Sequence, residues 1–260
     1  MYKIQIANAA GETLQLAEGQ NDARLYYQPA YEKGDKIIFT ADTQHVYIKI
    51  DQTLPESLVF LKNRELTYNI PFDQEALAYA PQSFAGAQHI LTIRPAQAED
   101  LYARRNLAFN PIDQRFYEDC YPHAKANVET RNESVFYARN VIDGLKFNHS
   151  HGGWPFQSWG IGGRADAEMT LYFGRLVSID EVAFTLRADF PHDNWWTAAQ
   201  LTLSDGHNQE LSFQKTGETQ AFALGEHQVE WMRISHLVKA DEPSEFPALT
   251  QWEIFGRDLA

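Results

Sequence analysis

Short runs of alternating apolar and polar residues dominate the first 98 residues. Branched or aromatic side chains recur in them at about every second position, which is the period of a half-buried strand. Glycine and proline residues separate the runs, as expected for turns. We therefore predict a small β-sandwich over residues 1–98, with an immunoglobulin-like arrangement as one candidate. The seven runs are KIQIAN, ETLQLAE, KIIFTA, HVYIKID, SLVFLK, LTYNIPF and HILTIRP.

The pattern changes over residues 99–120. The stretch AEDLYARRNLA has acidic residues near its start and is predicted to form a short helix, which Asn110-Pro111 would end. Leu101, Leu107 and Phe116 are apolar enough to pack against a neighbour. We interpret this stretch as a packed connection between two domains.

Alternating runs return over residues 121–260 and predict a second β-sandwich, so that the whole chain is all-β. This half also contains all six tryptophans of the protein. Its predicted strands are AEMTLYFG, SIDEVAFTLRAD, AAQLTLSD, QELSFQK, TQAFAL, WMRISHLVKA and TQWEIFG.

The net charge of the protein limits the classes of molecule that it can bind. A net charge of −13 argues against nucleic acid and anionic membrane surfaces, because both require a positive surface on the protein. Neutral ligands are favoured instead. No apolar run approaches the roughly 18 residues of a membrane span, and the first residues lack the apolar segment of a signal peptide. We expect a cytoplasmic protein, and its single cysteine, Cys120, excludes an intramolecular disulfide.

The first candidate site lies in the segment NVIDGLKFNHSHGGWPFQSWG, residues 140–160. Its histidines offer directional hydrogen bonds and its tryptophans offer flat apolar faces, a combination that suits a sugar ring. Metal binding and simple loop anchoring are alternatives. The jelly-roll metal pattern requires a carboxylate soon after the H-x-H pair, and none occurs before Asp166. The candidate ligand-binding residues are His149, His151, Trp154 and Trp159.

The second candidate site is RADFPHDNWW, residues 187–196, which follows a predicted strand. It is too rich in polar and aromatic groups for an ordinary connection, and exposed loops often carry binding residues. One of its two tryptophans would stack on a sugar and the other would anchor the loop. The alternative is a structural tryptophan corner with an Arg187–Asp189 or Arg187–Asp193 ion pair. The candidate ligand-binding residues are Arg187, His192, Asp193, Asn194 and Trp195.

Three other signals favour structural roles. Trp231 and Trp252 alternate with core-type residues and are predicted to be structural. The GIGG sequence at 160–163 lacks the following G-K-[ST] of a phosphate-binding loop. Ser204 belongs to an S-D-G turn, not to a nucleophile elbow.

Seven marks in the second half occur in the order found in one known family. They are ARNVIDG, SWG, AEMTLYFGR, VSIDEVAFTLRAD, LTLSDG, WMRISHL and TQWEIFG. In this respect residues 121–257 resemble the discoidin-like, galactose-binding-like domains found in coagulation-factor C-type domains and bacterial carbohydrate-binding modules. The resemblance implies a jelly-roll β-sandwich for the C-terminal domain. Residues 1–98 resemble no family known to us.

The resemblance also implies functional features. Members of this family are mostly non-enzymatic binding modules, and the loops after the D-G turn and around residues 187–196 would share one rim. The family often holds a structural calcium ion near the D-G turn, which here corresponds to Asp143 and Glu253. The family usually has an Asp or Thr shortly after the D-G turn, whereas this chain has Lys146 there. The lysine ammonium would repel a cation at this position.

We therefore hypothesise a non-catalytic carbohydrate-binding protein with its site at the C-terminal rim, and we assign no catalytic residue. The first alternative is a saccharide-acting hydrolase or lyase that uses rim histidine and aspartate residues, for which Asp189 and Asp193 are the only paired carboxylates. The second alternative is a protein-interaction scaffold. The sugar, the oligomeric state and the role of residues 1–98 do not follow from the sequence.

Overall fold

The computed structural model describes residues 1–147, 149 and 152–259. It confirms the all-β prediction. Seventeen strands occupy the described residues, and the one α-helix found there, α1 (Ala98–Tyr102), is only five residues long. No helix among these residues is long and apolar enough to cross a membrane.

The first eight strands form two antiparallel sheets around one core. One sheet has the order β2-β1-β4-β7, and the other has the order β6-β5-β8-β3 with β10 added beside β6. Alternation causes this packing, since Val46 and Ile48 of β5 point inward and are fully buried. The strands are β1 (Tyr2–Ala7), β2 (Thr13–Gly19), β3 (Ala23–Tyr27), β4 (Lys36–Thr40), β5 (His45–Lys49), β6 (Ser57–Leu61), β7 (Glu65–Asn69) and β8 (His89–Pro95).

The remaining strands, except β10, form a third antiparallel sheet around a second core. Its order is β12-β17-β13-β16-β14-β15, with β11 paired to β13 and β9 paired to β17. The strands are β9 (Arg105–Asn106), β10 (Cys120–Tyr121), β11 (His123–Ala126), β12 (Trp159–Gly160), β13 (Met169–Leu186), β14 (Trp196–Leu203), β15 (Asn208–Ser212), β16 (Gln220–Lys239) and β17 (Ala248–Asp258).

Two strands are much longer than the sequence predicts. The runs AEMTLYFG and SIDEVAFTLRAD join into β13, and TQAFAL and WMRISHLVKA join into β16. Irregular register between Tyr172 and Val177, where Gly174 has φ +70°, bends β13 without ending it. Bulged long strands of this kind let one sheet curve around the jelly-roll core.

The connecting stretch packs against both cores. The predicted helix AEDLYARRNLA ends at Tyr102, because Arg105 and Asn106 instead pair with β17. Leu107 then belongs to the second core, whereas Ile112 and Cys120 belong to the first. The predicted boundaries near residues 98 and 120, and the immunoglobulin-like arrangement, remain predictions.

Four short 3-10 helices lie where the two cores meet or beside that region. They are Asp73–Ala78, Thr130–Asn132, Ser134–Phe136 and Ala138–Ile142. Two hydrogen bonds join them across the contact: Ser134 Oγ donates to the Gln74 carbonyl, and Tyr137 Oη donates to Glu75 Oε1 at 3.0 Å. We call this contact region the seam.

Candidate functional site

The loop between β13 and β14 is built as a rigid turn. The Asp193 amide donates to the Asp189 carbonyl at 3.0 Å, and the Asp189 amide donates to Asp193 Oδ2 at 2.9 Å. Asn194 is fully buried, and its Nδ2 donates to the carbonyls of Ala240 and Ser244 at 3.2 and 2.6 Å. These bonds hold the loop against the segment that precedes β17.

Arg187 and Asp193 form a buried ion pair at the base of this loop. Each is 2% exposed, and Arg187 Nε lies 3.4 Å from Asp193 Oδ2. Burial lowers the pKa of Arg187, while the charges of Asp193 and Asp189 oppose that shift. A guanidinium titrates far above neutral pH, so Arg187 is charged. His192 lies beside it, with Nδ1 3.3 Å from Asp193 Oδ1 and a side chain that is 54% exposed.

These residues line a cavity of about 210 Å³, which we call the rim pocket. Phe246, 57% exposed, adds an apolar face from the segment before β17. Arg131, paired with Glu133 at 2.6 Å, and Phe136 also line the cavity. Hydrogen-bond donors and acceptors thus surround a small space beside an exposed aromatic ring.

Gly160 lets the opposite wall of the rim pocket pack closely. A Cβ at this position would lie 2.8 Å from Thr130 Oγ1 and 3.1 Å from Phe136 Cδ1. Thr130 Oγ1 also accepts the Gly162 amide at 2.9 Å. The sequence reading missed Gly160, Gly162, Phe246 and Arg131. In the sequence analysis, the GIGG glycines were considered only as a candidate phosphate-binding loop, which was excluded.

Three of the predicted contact residues serve as anchors in the structure. Trp159 is fully buried, and its indole N–H donates to the Val128 carbonyl at 2.9 Å. Trp195 is half-buried, packs on the second core and donates to Glu242 Oε1 at 3.1 Å. Asn194 is fully buried. A ligand in the rim pocket has no access to Trp159 or Asn194. A structural role as anchors therefore fits their positions better than contact with a ligand.

The first candidate loop is only partly described. His151 lies outside the described residues, whereas His149 is exposed and its amide donates to the Pro155 carbonyl at 2.7 Å. Trp154 is 39% exposed and lines a second cavity, of about 270 Å³, together with Asp143 and Gln157. Trp154 and His192 thus line two different cavities.

The carboxylates predicted to hold calcium have other partners. Asp143 is buried and accepts hydrogen bonds from the Leu145 amide at 2.8 Å, Gln251 Nε2 at 2.6 Å and Gln157 Nε2 at 3.3 Å. Burial raises the Asp143 pKa to about 6, although the nearby Arg139 charge and these donors oppose the shift. Glu253 Oε2 lies 2.5 Å from Lys146 Nζ.

These surroundings do not fit a calcium ion. Calcium takes six to eight oxygen ligands, whereas N–H groups and an ammonium point at these carboxylates. The described residues also contain no cluster of three or more histidine, cysteine, aspartate or glutamate side chains that could hold a metal. The calcium site stays a prediction from the resemblance, and the geometry argues against it.

A calcium titration tests this point. We expect the melting temperature to be the same in EDTA and in excess CaCl₂, because Lys146 already supplies a positive charge to Glu253. The measurement is differential scanning fluorimetry of the EDTA-treated protein, with MgCl₂ as the control salt. A rise of several degrees with calcium alone would establish the ion predicted from the family. Binding of an ion to the folded state necessarily raises the melting temperature.

Comparisons with known proteins are limited to structures. No family model and no curated protein matches the chain. The family 32 CBM from C. perfringens NanJ, in complex with galactose, matches at 15% identity and a TM-score of 0.39, over 51% of this chain and 91% of the other. A chitosan-binding module from a Paenibacillus sp. IK-5 chitosanase/glucanase matches at 14% and 0.41, over 58% and 99%.

A fucose-binding module of Streptococcus pneumoniae matches at 12% identity and a TM-score of 0.40, over 58% of this chain and 96% of the other. These neighbours are carbohydrate-binding modules, the class that the sequence resembles.

Proposed function

We propose that the protein binds a single sugar ring in the rim pocket and does not catalyse a reaction there. The observation that carries this proposal is the rim pocket itself. A buried Arg187–Asp193 pair, an exposed His192 and an exposed Phe246 share one cavity of about 210 Å³.

The chemistry of these groups matches a sugar. Each sugar hydroxyl both donates and accepts hydrogen bonds, and the pocket offers a guanidinium donor, a carboxylate acceptor and an imidazole that can do either. The apolar face of a pyranose suits a flat aromatic ring such as Phe246. The pocket is smaller than the roughly 300–1,000 Å³ of sites for drug-sized ligands, so one ring fits better than a long oligosaccharide.

The charges of the rim pocket favour a neutral or weakly charged sugar. Asp193 compensates Arg187, and Glu133 compensates Arg131. A polyanion gains little from cations that already have carboxylate partners. This agrees with the net charge of −13.

An enzyme fits the rim pocket less well. Most glycosidases place two carboxyl groups on either side of the bond they cleave. Asp193 lines the rim pocket, but Asp189 does not belong to the described lining of this cavity. Asp193 is also engaged with Arg187 and with the backbone amide of Asp189, which suits a fixed binding group better than an acid or base.

A glycan array probed with the full chain tests the proposal. We expect binding to one class of neutral monosaccharide at a glycan terminus, at the modest affinity of a shallow site, to be measured next by calorimetry with the free sugar. Chromatography of the same mixtures tests turnover. Release of product would establish the enzyme alternative, and sugar-independent change in oligomeric state would favour the scaffold. Silence across neutral and amino sugars would refute sugar binding.

A further inference from the structure

Another cavity lies at the seam, and its lining differs from that of the rim pocket. It encloses about 490 Å³ and is formed by residues from segments 33–34, 69–72, 75–79, 114–117 and 134–139. We call it the seam cavity. Residues of the first core, among them Ile70 and Tyr79, line it together with Ser134, Tyr137 and Arg139 from the second half of the chain, so neither half forms it alone.

Arg139 is the unusual group in this cavity. Its side chain is buried, with Nη1 donating to Asn140 Oδ1 at 3.1 Å and Nη2 donating to the Pro111 carbonyl at 2.8 Å. Its Nε has no hydrogen-bond partner among the described residues. The guanidinium lies over the Tyr79 ring, 4.7 Å from the centroid.

The charge of Arg139 is also without a close partner. Arg187, equally buried, pairs with Asp193 at 3.4 Å, but no described carboxylate lies within 4.0 Å of Arg139. Burial by itself would lower the Arg139 pKa, but Tyr79, Asp143 and more distant groups outweigh it and raise the pKa, although neither Asp143 nor Asp113 lies within ion-pair distance. Burying a charge is costly unless it is paired. A buried guanidinium without an ion pair within 4.0 Å is therefore suited to an anion that arrives with a ligand.

The walls of the seam cavity are aromatic. Phe72, Tyr79, Tyr117 and Tyr137 line it, and Phe116 stands at its edge with 84% of its surface exposed. The Arg115 guanidinium lies 5.0 Å from the Phe116 ring centroid and 4.5 Å from that of Tyr137. An aromatic ring this exposed buries little surface within the protein itself, and a flat ligand would cover it.

The lining charges are positive in an otherwise acidic protein. Lys33, Arg115 and Arg139 line the seam cavity, against Glu75 as the one carboxylate of the described lining. Lys33 pairs with Asp73 and Arg115 with Glu129, each at 2.6 Å, so their charges are partly compensated. Glu75 accepts the Tyr137 hydroxyl. Arg139 is the cation of this lining that forms no ion pair within 4.0 Å among the described residues.

We propose that the seam cavity is a second binding site, which takes a small organic carboxylate attached to a ring. The carboxylate pairs with Arg139, because a guanidinium offers a planar donor pair that matches a carboxylate. The ring rests against the aromatic wall that includes Phe116 and Tyr137. Arg139 and Tyr79 also line the 270 Å³ cavity that holds Trp154, so the ligand can reach this charge from either cavity.

Two sources supply such a ligand, a sugar acid and an aromatic acid. Calorimetric titration of the full chain with glucuronate and with benzoate separates them, with glucose and benzyl alcohol as the uncharged counterparts. We expect one of the two acids to bind and its uncharged counterpart to bind at least about 10-fold more weakly, since the carboxylate provides the main contact. Absence of binding by both acids would overturn the proposal, and so would equal binding of acid and counterpart in the His192→Ala, Phe246→Ala variant, in which the rim pocket is altered.

Substitutions in the lining test whether the acid binds in the seam cavity. Phe116→Ala should weaken it by roughly 3- to 10-fold, while Phe147→Ala, an equally drastic change at another exposed phenylalanine, should not. Arg139→Lys keeps the charge but loses the planar donor pair, and we expect a loss of about 10-fold or more. Should Arg139→Lys fail to fold, Phe116→Ala still decides. Binding that survives Phe116→Ala unchanged would refute the seam site.

The rim variants separate this proposal from the proposed sugar site. His192→Ala and Phe246→Ala alter the rim pocket and leave the seam lining intact. Acid binding should therefore persist in both variants. Loss of acid binding in these variants would place the ligand at the rim and overturn the second site, without bearing on neutral-sugar binding there.

Discussion

Replacement of Asp258 by asparagine is expected to lower the free energy of unfolding by about 3–5 kcal/mol. Asp258 is 3% exposed and binds Arg105, Arg175 and His45, the last at 3.3 Å. Removing one member of a buried charge network leaves the others buried without compensation. Urea unfolding followed by tryptophan fluorescence measures the loss.

This carboxylate matters because its partners come from different parts of the fold. His45 belongs to β5 of the first core, Arg105 to β9, and Arg175 to β13 of the second core. Asp258 itself lies at the end of β17. One side chain therefore joins the first sandwich, the connecting stretch and the jelly roll.

Asp180→Asn provides the matched control. Asp180 pairs with Arg104 at 2.6 Å, but both side chains are more than 40% exposed. Exposed ion pairs contribute about 0–1 kcal/mol, so this variant should unfold almost as the wild type does. Equal losses in the two variants would show that burial of the Asp258 network is not what stabilises the fold.

The same network predicts a pH dependence. Burial by itself would raise the Asp258 pKa, but hydrogen bonds from His45 and Arg175 and the arginine charges outweigh it and hold the pKa well below its usual range. A carboxyl with a depressed folded pKa stabilises the protein fully above its unfolded pKa, about 3.9. That stability is lost as the pH falls through the folded value. The wild type should therefore lose stability below about pH 4 more steeply than Asp258→Asn.

Much of the fold could be predicted from the chain. Period-two alternation located seven of the first eight strands, and the ordered marks indicated the jelly roll. Strand β3 was missed, although Leu25 and Tyr27 point inward, because the outward residue between them, Tyr26, is also aromatic and hides the alternation of apolar and polar residues. The lengths of β13 and β16 were missed for another reason: alternation shows where a strand runs, but not whether an irregularity bends it or ends it.

The candidate site was predicted less completely. The composition of residues 187–196 pointed to Arg187, His192 and Asp193, which do line one cavity. The same composition also pointed to Asn194 and Trp195, because polar and aromatic residues anchor loops as readily as they bind ligands. Anchoring residues differ from ligand-binding residues in their burial and in their hydrogen-bond partners. Neither property can be read from a single sequence.

Phe246 was missed because only the tertiary structure brings its ring to the rim pocket. It lies more than fifty residues beyond His192, in a stretch that reads as an ordinary turn before the last strand. The parallel bridge between Asn194 and Pro247 and the bond from the Asn194 amide to the Phe246 carbonyl at 3.3 Å bring the two segments together. The buried asparagine thus positions an aromatic residue that the sequence reading did not associate with the site.

The double variant His192→Ala, Phe246→Ala is expected to weaken sugar binding by roughly 30- to 100-fold, because it removes one hydrogen-bonding group and one aromatic face. Each single variant should lose about 5- to 10-fold. Both side chains are more than half exposed, so the melting temperature should stay near that of the wild type. Calorimetry with the sugar found on the array measures the affinity.

Phe147→Ala is the control for this variant, since Phe147 is 63% exposed and lies outside the described lining of the rim pocket. Its affinity should equal that of the wild type. If the double variant binds sugar as tightly as Phe147→Ala does, the sugar does not occupy the rim pocket. If the double variant and Phe147→Ala lose binding together, the loss reflects exposed aromatic surface in general, and contact of the sugar with His192 and Phe246 no longer explains recognition.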